Sequence, residues 1–244
     1  YGELTGFAMT VLTLPSFITY SLSTALVPAI SEGMEQKKLQ VVEYRLEQAM
    51  RLCLLSGGIS VVILFSFADE LMSVMYGSTN AAVFVKVMAP FFLLYYFQGP
   101  LQAVLQALNL AGAAMMNSFI GAAVKTGLIF VLATRPSLGI MGAALAIVTG
   151  MVLVTLLHAA TVSKVLPISI KIKEYALCFA VIFICGYVSR IIKHAVHFSG
   201  SEAVNLTGWI AMTAILYIAL LLLFRLIKRE ELIRIPVIGK FVTR

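Results

Sequence analysis

Residues 138–162 read LGIMGAALAIVTGMVLVTLLHAATV, a run of 25 positions that holds no Asp, Glu, Lys or Arg. A transmembrane helix needs about 20 mainly apolar residues, and this run lacks the period-two alternation of a barrel strand. Because only helices and closed barrels span a bilayer, we predict a transmembrane helix here. Six further runs are also long and mainly apolar: Leu4–Ile30, Leu52–Met75, Val87–Leu108, Met115–Ala133, Tyr175–Ile192 and Leu206–Leu226. The chain is therefore predicted to be an all-α integral membrane protein of about seven transmembrane helices.

The overall composition agrees with a membrane protein and argues against a soluble enzyme. Of the 244 residues, 61% are apolar and 12% are charged, and the mean hydropathy is +0.99. Soluble domains are nearer half apolar and a quarter charged. The net charge of +7 does not indicate nucleic-acid binding, because the basic residues lie at the ends of the apolar runs. The residues show neither a catalytic arrangement nor metal-ligand spacing, so we expect no enzyme activity, no metal and no cofactor.

The placement of lysine and arginine predicts the orientation. One set of connecting segments, with the C-terminal tail, holds 13 of the 18 basic residues, and the opposite set holds four. Cytoplasmic loops carry the excess of Lys and Arg, so the C-terminus is predicted to be cytoplasmic. An odd number of spans then puts Tyr1 outside, and we expect sequence upstream of it. The connector Glu32–Arg51 has an amphipathic pattern and is predicted to lie along the cytoplasmic interface.

Lys125 is a basic residue near the middle of a predicted span, in the segment Gly121–Gly127, whereas Arg190 and Arg225 lie at span ends. A lysine far from both ends of a span cannot easily extend its ammonium to the interface. An intramembrane cation costs a few kcal/mol and usually faces a cavity or a partner. We interpret Lys125 as a cation that lines a central cavity and meets an anionic substrate. The alternative is a lysine bonded to neighbouring carbonyls, or a span with other ends.

Polar residues form a stripe on the third predicted span. At 100° per residue they fall within a narrow arc of one helix, and they are Tyr95, Gln98, Gln102, Gln106 and Asn109. Carboxamides are costly in hydrocarbon unless they are satisfied, so the stripe indicates either a wet cavity wall or a hydrogen-bonded helix contact. Gly99 and Pro100 predict a hinge in this span.

The first span has a comparable polar face and two prolines. Thr10 and Thr13 belong to this face and are candidates for the cavity wall, although such hydroxyls also bond to the preceding turn of their own helix. Pro15 and Pro28 each leave a carbonyl without its usual partner, which predicts hinges at both positions.

Residues 14–32, LPSFITYSLSTALVPAISE, resemble the eighth helix of polysaccharide-export flippases, whose superfamily also holds the MATE-type multidrug exporters. The resemblance continues through Tyr76–Gly77, Gln102–Asn109 and Gly121–Lys125, and residues 138–146 are similar to the start of the family's twelfth helix. Within the family, the chain is most similar to the stage V sporulation protein B group of spore-forming bacteria. The resemblance covers the whole chain and the C-terminal half of a fourteen-helix fold.

The resemblance implies a flippase that moves a lipid-linked saccharide by alternating access in the bacterial cytoplasmic membrane. Its partners would be a polyprenyl-pyrophosphate saccharide, here a peptidoglycan or polysaccharide precursor, membrane lipids and the missing N-terminal half. It divides the chain into second-lobe helices (residues 1–164), two additional spans (165–227) and a basic cytoplasmic tail (228–244). Thr10 stands where related peptidoglycan flippases carry an arginine, which makes Lys125 the expected intramembrane cation of this half.

Two other functions fit the same pattern. A cation-coupled exporter of small molecules would need a buried acidic site, and Asp69 and Glu70 lie toward the end of a span. A membrane scaffold for envelope assembly would transport nothing and would tolerate the loss of the Lys125 charge.

Overall fold

The computed structural model describes residues 1–166, 171–198 and 200–227. Throughout these residues the regular secondary structure is helical. Six helical spans are long and apolar enough to cross a membrane, and a bent pair of helices makes a seventh. The predicted class, an all-α membrane protein of about seven spans, is therefore confirmed. The chain divides into two compact units, Tyr1–Ile170 and Lys171–Arg244.

The first span is broken near its middle. A π-helical segment, Glu3–Ala8, continues into α1 (Met9–Thr13), and α2 (Ser16–Glu35) follows at an angle of 53°. Pro15 lies in the break, where it has no N–H to continue the helix. The Leu12 carbonyl belongs to the last turn of α1 and accepts a hydrogen bond of 2.9 Å from the buried Tyr96 hydroxyl. This bond satisfies a carbonyl that a helix end leaves without an intrahelical partner.

The amphipathic connector is part of a long helix, and its predicted place along the cytoplasmic interface stays a prediction. α3 (Leu39–Ser66) runs without interruption through the connector and the second predicted span, and only residues 36–38 link it to α2. Val42 and Leu46 are buried in the first turns of α3. These two residues of the apolar stripe therefore pack within the protein, whereas Leu39 is exposed. α4 (Ala68–Tyr76) follows after a break at Phe67 and forms the end of the predicted second span.

The third span consists of two consecutive helices. α5 (Ala82–Tyr96) ends immediately before Phe97, and α6 (Gln98–Ala107) begins immediately after it. Gly99 and Pro100 lie in the first turn of α6, where proline costs no intrahelical hydrogen bond. A Cβ on Gly99 would lie 2.7 Å from the Ser23 hydroxyl of α2. The glycine therefore permits the close approach of α2 and α6 at this level.

α7 (Ala111–Ala133) and α8 (Ile140–Ser163) form a tightly packed hairpin. A Cβ on Gly150 would lie 3.0 Å from the Gly121 carbonyl oxygen, and a Cβ on Gly121 would meet the Val154 side chain. Small residues at a crossing let two membrane helices approach at backbone distance. The side chains near Gly121 and Gly150, including Lys125, are therefore held by the α7–α8 contact.

The second unit is a hairpin of α9 (Ile172–Ala195) and α10 (Glu202–Leu223). The buried hydroxyls of Ser189 and Thr213 are 3.0 Å apart and hydrogen-bonded. The Trp209 indole donates a 2.7 Å hydrogen bond to the Val196 carbonyl oxygen. These bonds satisfy polar groups of both helices without water. The predicted basic tail, residues 228–244, lies outside the described residues.

Candidate functional site

A cavity of about 230 Å³ lies in the first unit among α1, α5, α6, α7 and α8. Four of the residues predicted for a substrate cavity meet in its wall, although they come from four different helices: Thr13, Tyr95, Gln98 and Lys125. We call it the Lys125 cavity. Phe92, Met151 and Val154 supply apolar parts of the same wall. One cation on a mainly apolar wall with a few polar groups is the usual composition of a small-molecule site.

Lys125 lies well inside α7, eight residues before its end at Ala133. At 1.5 Å per residue this is about 12 Å along the helix axis. The side chain is half-buried, and within the described residues its ammonium makes no hydrogen bond or ion pair. The alternative in which neighbouring carbonyls bond the ammonium therefore finds no support in this part of the chain. An intramembrane cation without a protein partner is available to an anion that enters the cavity.

The stem of Lys125 rests on Gly150 of α8. A Cβ on Gly150 would lie 2.6 Å from the Lys125 Cβ and 3.3 Å from its Cγ. Gly150 itself lines the Lys125 cavity. The absence of a side chain at position 150 therefore makes room for the lysine stem beside the α7–α8 crossing.

Gln98 joins two helices in the wall of the Lys125 cavity. Its Nε2 donates a 2.8 Å hydrogen bond to the Met151 carbonyl oxygen and a 3.0 Å bond to the Thr155 hydroxyl. The Thr155 hydroxyl donates in turn, with the Leu94 carbonyl oxygen of α5 at 3.2 Å. Of the two interpretations of the polar stripe, a hydrogen-bonded helix contact describes Gln98.

Replacing Gln98 should weaken the contact between α6 and α8. In Gln98→Leu both carboxamide bonds are lost and Thr155 keeps only backbone partners, which should cost about 1–2 kcal/mol of stability. We expect a lower melting temperature for the purified full-length protein in detergent. Gln102→Leu, on the same helix, is the matched control and should leave the melting temperature unchanged. Equal melting temperatures for the two variants would contradict the helix-contact role of Gln98.

A second cavity, of about 120 Å³, lies between α2 and α6. Its wall carries hydroxyls from α2 and carboxamides from α6: Tyr20, Ser23, Thr24, Gln102 and Gln106. We call it the carboxamide groove. The polar stripe is therefore divided between two cavities, since Tyr95 and Gln98 face the first while Gln102 and Gln106 face the second.

Two predicted residues line neither cavity. The exposed Thr10 donates a 2.6 Å hydrogen bond to the Gly6 carbonyl oxygen, so its hydroxyl is bonded within its own helix. Asn109 has a positive φ of 58° in the turn between α6 and α7, a conformation that asparagine tolerates better than most residues. The Thr13 hydroxyl is also bonded within its helix, to the Met9 carbonyl oxygen at 2.8 Å, yet Thr13 does line the Lys125 cavity.

The predicted hinge residues occupy different kinds of position. Pro15 lies in the break between α1 and α2, and Gly99 and Pro100 directly follow the junction of α5 and α6. Pro28 lies inside α2, which continues through it. The structure records helix breaks at two of the three places, and movement about them stays a prediction.

Sequence reasoning missed Ser118, Met9 and Met151 as wall residues of the Lys125 cavity. Ser118 lies seven residues before Lys125, two helical turns away on the same face, and this spacing could have identified it. Met9 and Met151 carry no comparable signal, because apolar residues in an apolar span look alike whichever way they face.

One of the two acidic residues at the end of the second span is paired with a neighbouring helix. The Asp69 carboxylate of α4 accepts a 2.6 Å contact from the Lys86 ammonium of α5, and both side chains are about 40% exposed (42% and 41%). Neither described cavity has a carboxylate in its wall. Within the described ranges, no three His, Cys, Asp or Glu side chains come together as metal ligands.

Comparison with known proteins identifies relatives of this chain. No family model matches it. It is 85% identical over all 244 residues to stage V sporulation protein B of Bacillus subtilis (strain 168), of which it covers 47%. It is also 33% identical over 170 residues, 70% of the chain, to sporulation protein YkvU of the same organism, of which it covers 38%. The chain thus spans about half the length, or less, of the curated relatives it matches.

A solved structure shares the fold. The lipid II flippase MurJ, in an inward closed conformation, matches 89% of this chain and 47% of its own length with a TM-score of 0.68 and 16% sequence identity. This likeness confirms the multi-pass membrane fold that the resemblance predicted. The chain is therefore a relative of about half of stage V sporulation protein B, to which it is 85% identical over all 244 residues.

Proposed function

We propose that this chain is one lobe of a flippase that moves a polyprenyl-pyrophosphate saccharide, a peptidoglycan or polysaccharide precursor, across the bacterial cytoplasmic membrane. The rest of the longer protein would supply the other lobe, which the relatives' roughly double length supports. The two lobes would alternate between openings to the inner and outer leaflets. The saccharide is precursor material for the envelope or spore, as the sporulation relatives suggest.

The observation that carries the proposal is the Lys125 ammonium, which has no partner within the described residues and lines a cavity from a helix long and apolar enough to cross the membrane. A pyrophosphate crossing hydrocarbon needs a counter-charge along its path, because an uncompensated ion in a low-dielectric medium is very costly. Lys125 supplies that charge at the depth where solvation by water is weakest. The polyprenyl tail needs no such group and would stay in the lipid.

The orientation proposed from the sequence puts the α2–α3 turn, with Lys37 and Lys38, on the cytoplasmic side. The end of α8 and the start of α9, with Lys164 and Lys171, would face the same side, and so would the C-terminal tail. In this orientation α6 runs from the middle of the membrane toward the cytoplasm, and substrate loading would occur at its Asn109 end.

Among the alternatives, neither an exporter nor a scaffold is favoured by a specific observation. A cation-coupled exporter would need a membrane-embedded carboxylate, and the Asp69 carboxylate is paired with Lys86 beside the end of the span. A scaffold would have no use for an unpartnered intramembrane cation, whose insertion has a cost of a few kcal/mol.

The test is leaflet exchange by the full-length protein in proteoliposomes. A fluorescent polyprenyl-pyrophosphate disaccharide is incorporated, and a membrane-impermeant quencher reports the fraction left in the outer leaflet. We expect exchange well above that of protein-free liposomes, and no acceleration for a fluorescent phosphatidylcholine. Exchange no faster than in protein-free liposomes, under proton, sodium and chloride gradients of both signs, would overturn the proposal.

A further inference from the structure

The carboxamide groove differs from the Lys125 cavity in the chemistry of its wall. Its polar groups are amides and hydroxyls, and its described wall contains no charged side chain. Gln102 and Gln106 are exposed, and within the described residues their carboxamides make no hydrogen bond. Gln98, four residues before Gln102, has both partners on α8. The Nε2 group of this residue type therefore has protein partners in one cavity, and the same group is open in the other.

Open carboxamides within a transmembrane span require an explanation. A primary amide in hydrocarbon without a hydrogen-bond partner costs several kcal/mol, and Gln102 lies inside the span Ala82–Ala107. The groove face of α6 must therefore meet water, a polar partner or a polar ligand. Each carboxamide offers two donors and one acceptor oxygen, and this mixture suits a ligand that both donates and accepts hydrogen bonds.

The α2 side of the groove adds an aromatic ring. Tyr20 is 58% exposed and presents both a ring face and a hydroxyl. Ser23 and Thr24 use their hydroxyl hydrogens on carbonyls of their own helix, at 2.6 Å and 2.9 Å, and so offer acceptor oxygens to the groove. Amides, hydroxyl oxygens and an exposed ring together match a neutral polyhydroxylated ligand better than an anion.

The two cavities are adjacent along α6. Gln98 stands at the Lys125 cavity, and Gln102 and Gln106 lie about 6 Å and about 12 Å farther along the helix axis at 1.5 Å per residue. One ligand with an anionic part and a neutral hydroxylated part could therefore occupy both at once.

We propose that the carboxamide groove is a saccharide subsite, in which Gln102, Gln106 and Tyr20 bind the sugar hydroxyls while Lys125 holds the pyrophosphate of the same molecule. This inference rests on the proposed function and adds a division of the substrate between two cavities. The carboxamides select for the presence of a sugar, and Lys125 binds any polyprenyl pyrophosphate whether or not it carries one. Specificity for the polyprenyl pyrophosphate that carries a sugar, over the one that does not, would then reside in α2 and α6.

The experiment compares two substrates in full-length protein. Wild type, Gln102→Leu/Gln106→Leu and the exposed control Gln40→Leu are reconstituted, and exchange is measured for a fluorescent polyprenyl pyrophosphate with and without its disaccharide. We expect the double variant to slow exchange of the glycosylated substrate about tenfold, because two or more ligand hydrogen bonds are lost. Exchange of the sugar-free substrate should be unchanged, and the control variant should match wild type for both substrates.

Two results would overturn the subsite and leave the flippase intact. One is equal slowing of both substrates by the double variant, and the other is no slowing of either. A wild type that exchanges neither substrate would instead contradict the proposed function, so the two failures are distinguishable.

A second measurement avoids the variants in case the double substitution prevents folding. A diazirine on the disaccharide of the bound substrate should cross-link wild-type protein within residues 20–27 and 98–107. Cross-links confined to other segments would overturn the assignment.

Discussion

Lys125→Met should reduce leaflet exchange of a polyprenyl-pyrophosphate saccharide about 100-fold. The Lys125 cavity would then have no cation in its described wall, and the wall would remain mainly apolar. Removing one partner of a desolvated charge pair costs about 2–5 kcal/mol, and each 1.4 kcal/mol is a factor of ten. Lys125→Arg keeps the charge and should retain most of the exchange.

The fold should survive the Lys125→Met substitution, which makes the loss of exchange interpretable. Methionine inserts into hydrocarbon more favourably than lysine, so the melting temperature of the variant should equal or exceed that of wild type. Lys164→Met, at an exposed position just after α8, is the matched control for the loss of one positive charge. Wild-type exchange by Lys125→Met would remove Lys125 from the substrate path.

Gly142→Ala should destabilise the protein by about 2–3 kcal/mol. A Cβ at position 142 would collide with the Leu132 carbonyl group and would lie 2.9 Å from the Ala133 backbone nitrogen. These are backbone atoms at the end of α7, so no side-chain rotation relieves the clash, and overpacking of this kind typically costs about 1–3 kcal/mol. In the Gly142→Ala protein the turn between α7 and α8 must therefore widen to make room for the methyl group.

Thermal unfolding of purified full-length protein measures this effect. Gly127→Ala is the matched control, because a Cβ at position 127 of α7 meets nothing within 4 Å. Its melting temperature should stay the same or rise, since alanine favours helix over glycine by roughly 0.5–1 kcal/mol. A Gly142→Ala protein as stable as Gly127→Ala would show that the hairpin turn has more space than its geometry indicates.

The polar stripe illustrates what periodicity can and cannot predict. A spacing of three to four residues correctly placed Gln98, Gln102 and Gln106 along one side of a helical span. It could not distinguish Gln98, which bonds to α8, from Gln102 and Gln106, which open into the groove. That distinction depends on where α2 and α8 cross α6, and no local pattern in α6 contains this information.

The amphipathic connector shows the same limit of a local pattern. Its stripe of apolar residues, Val42 and Leu46 among them, correctly indicated a helix with one apolar face. The same stripe serves equally well against lipid and against a neighbouring helix. In α3 the buried residues of this stripe, Val42 and Leu46, pack inside the protein. The helix also begins well before Leu52, where the apolar run predicted from the sequence begins.

The sequence by itself determined that the chain folds in a lipid bilayer rather than in water. It also determined the helical class, the approximate number of spans and the position of Lys125 within one of them. Hydrocarbon imposes these features directly, because every backbone polar group must be satisfied inside its own helix and a charge within a span stands out against apolar neighbours. Only the tertiary structure decided which side chains share a cavity. Thr13, Tyr95, Gln98 and Lys125 come from four helices, and they meet because glycines at the α7–α8 and α2–α6 contacts let backbones approach closely. Helix contacts in a membrane depend on such complementary surfaces rather than on a hydrophobic pattern, since the lipid is as apolar as the side chains that face it.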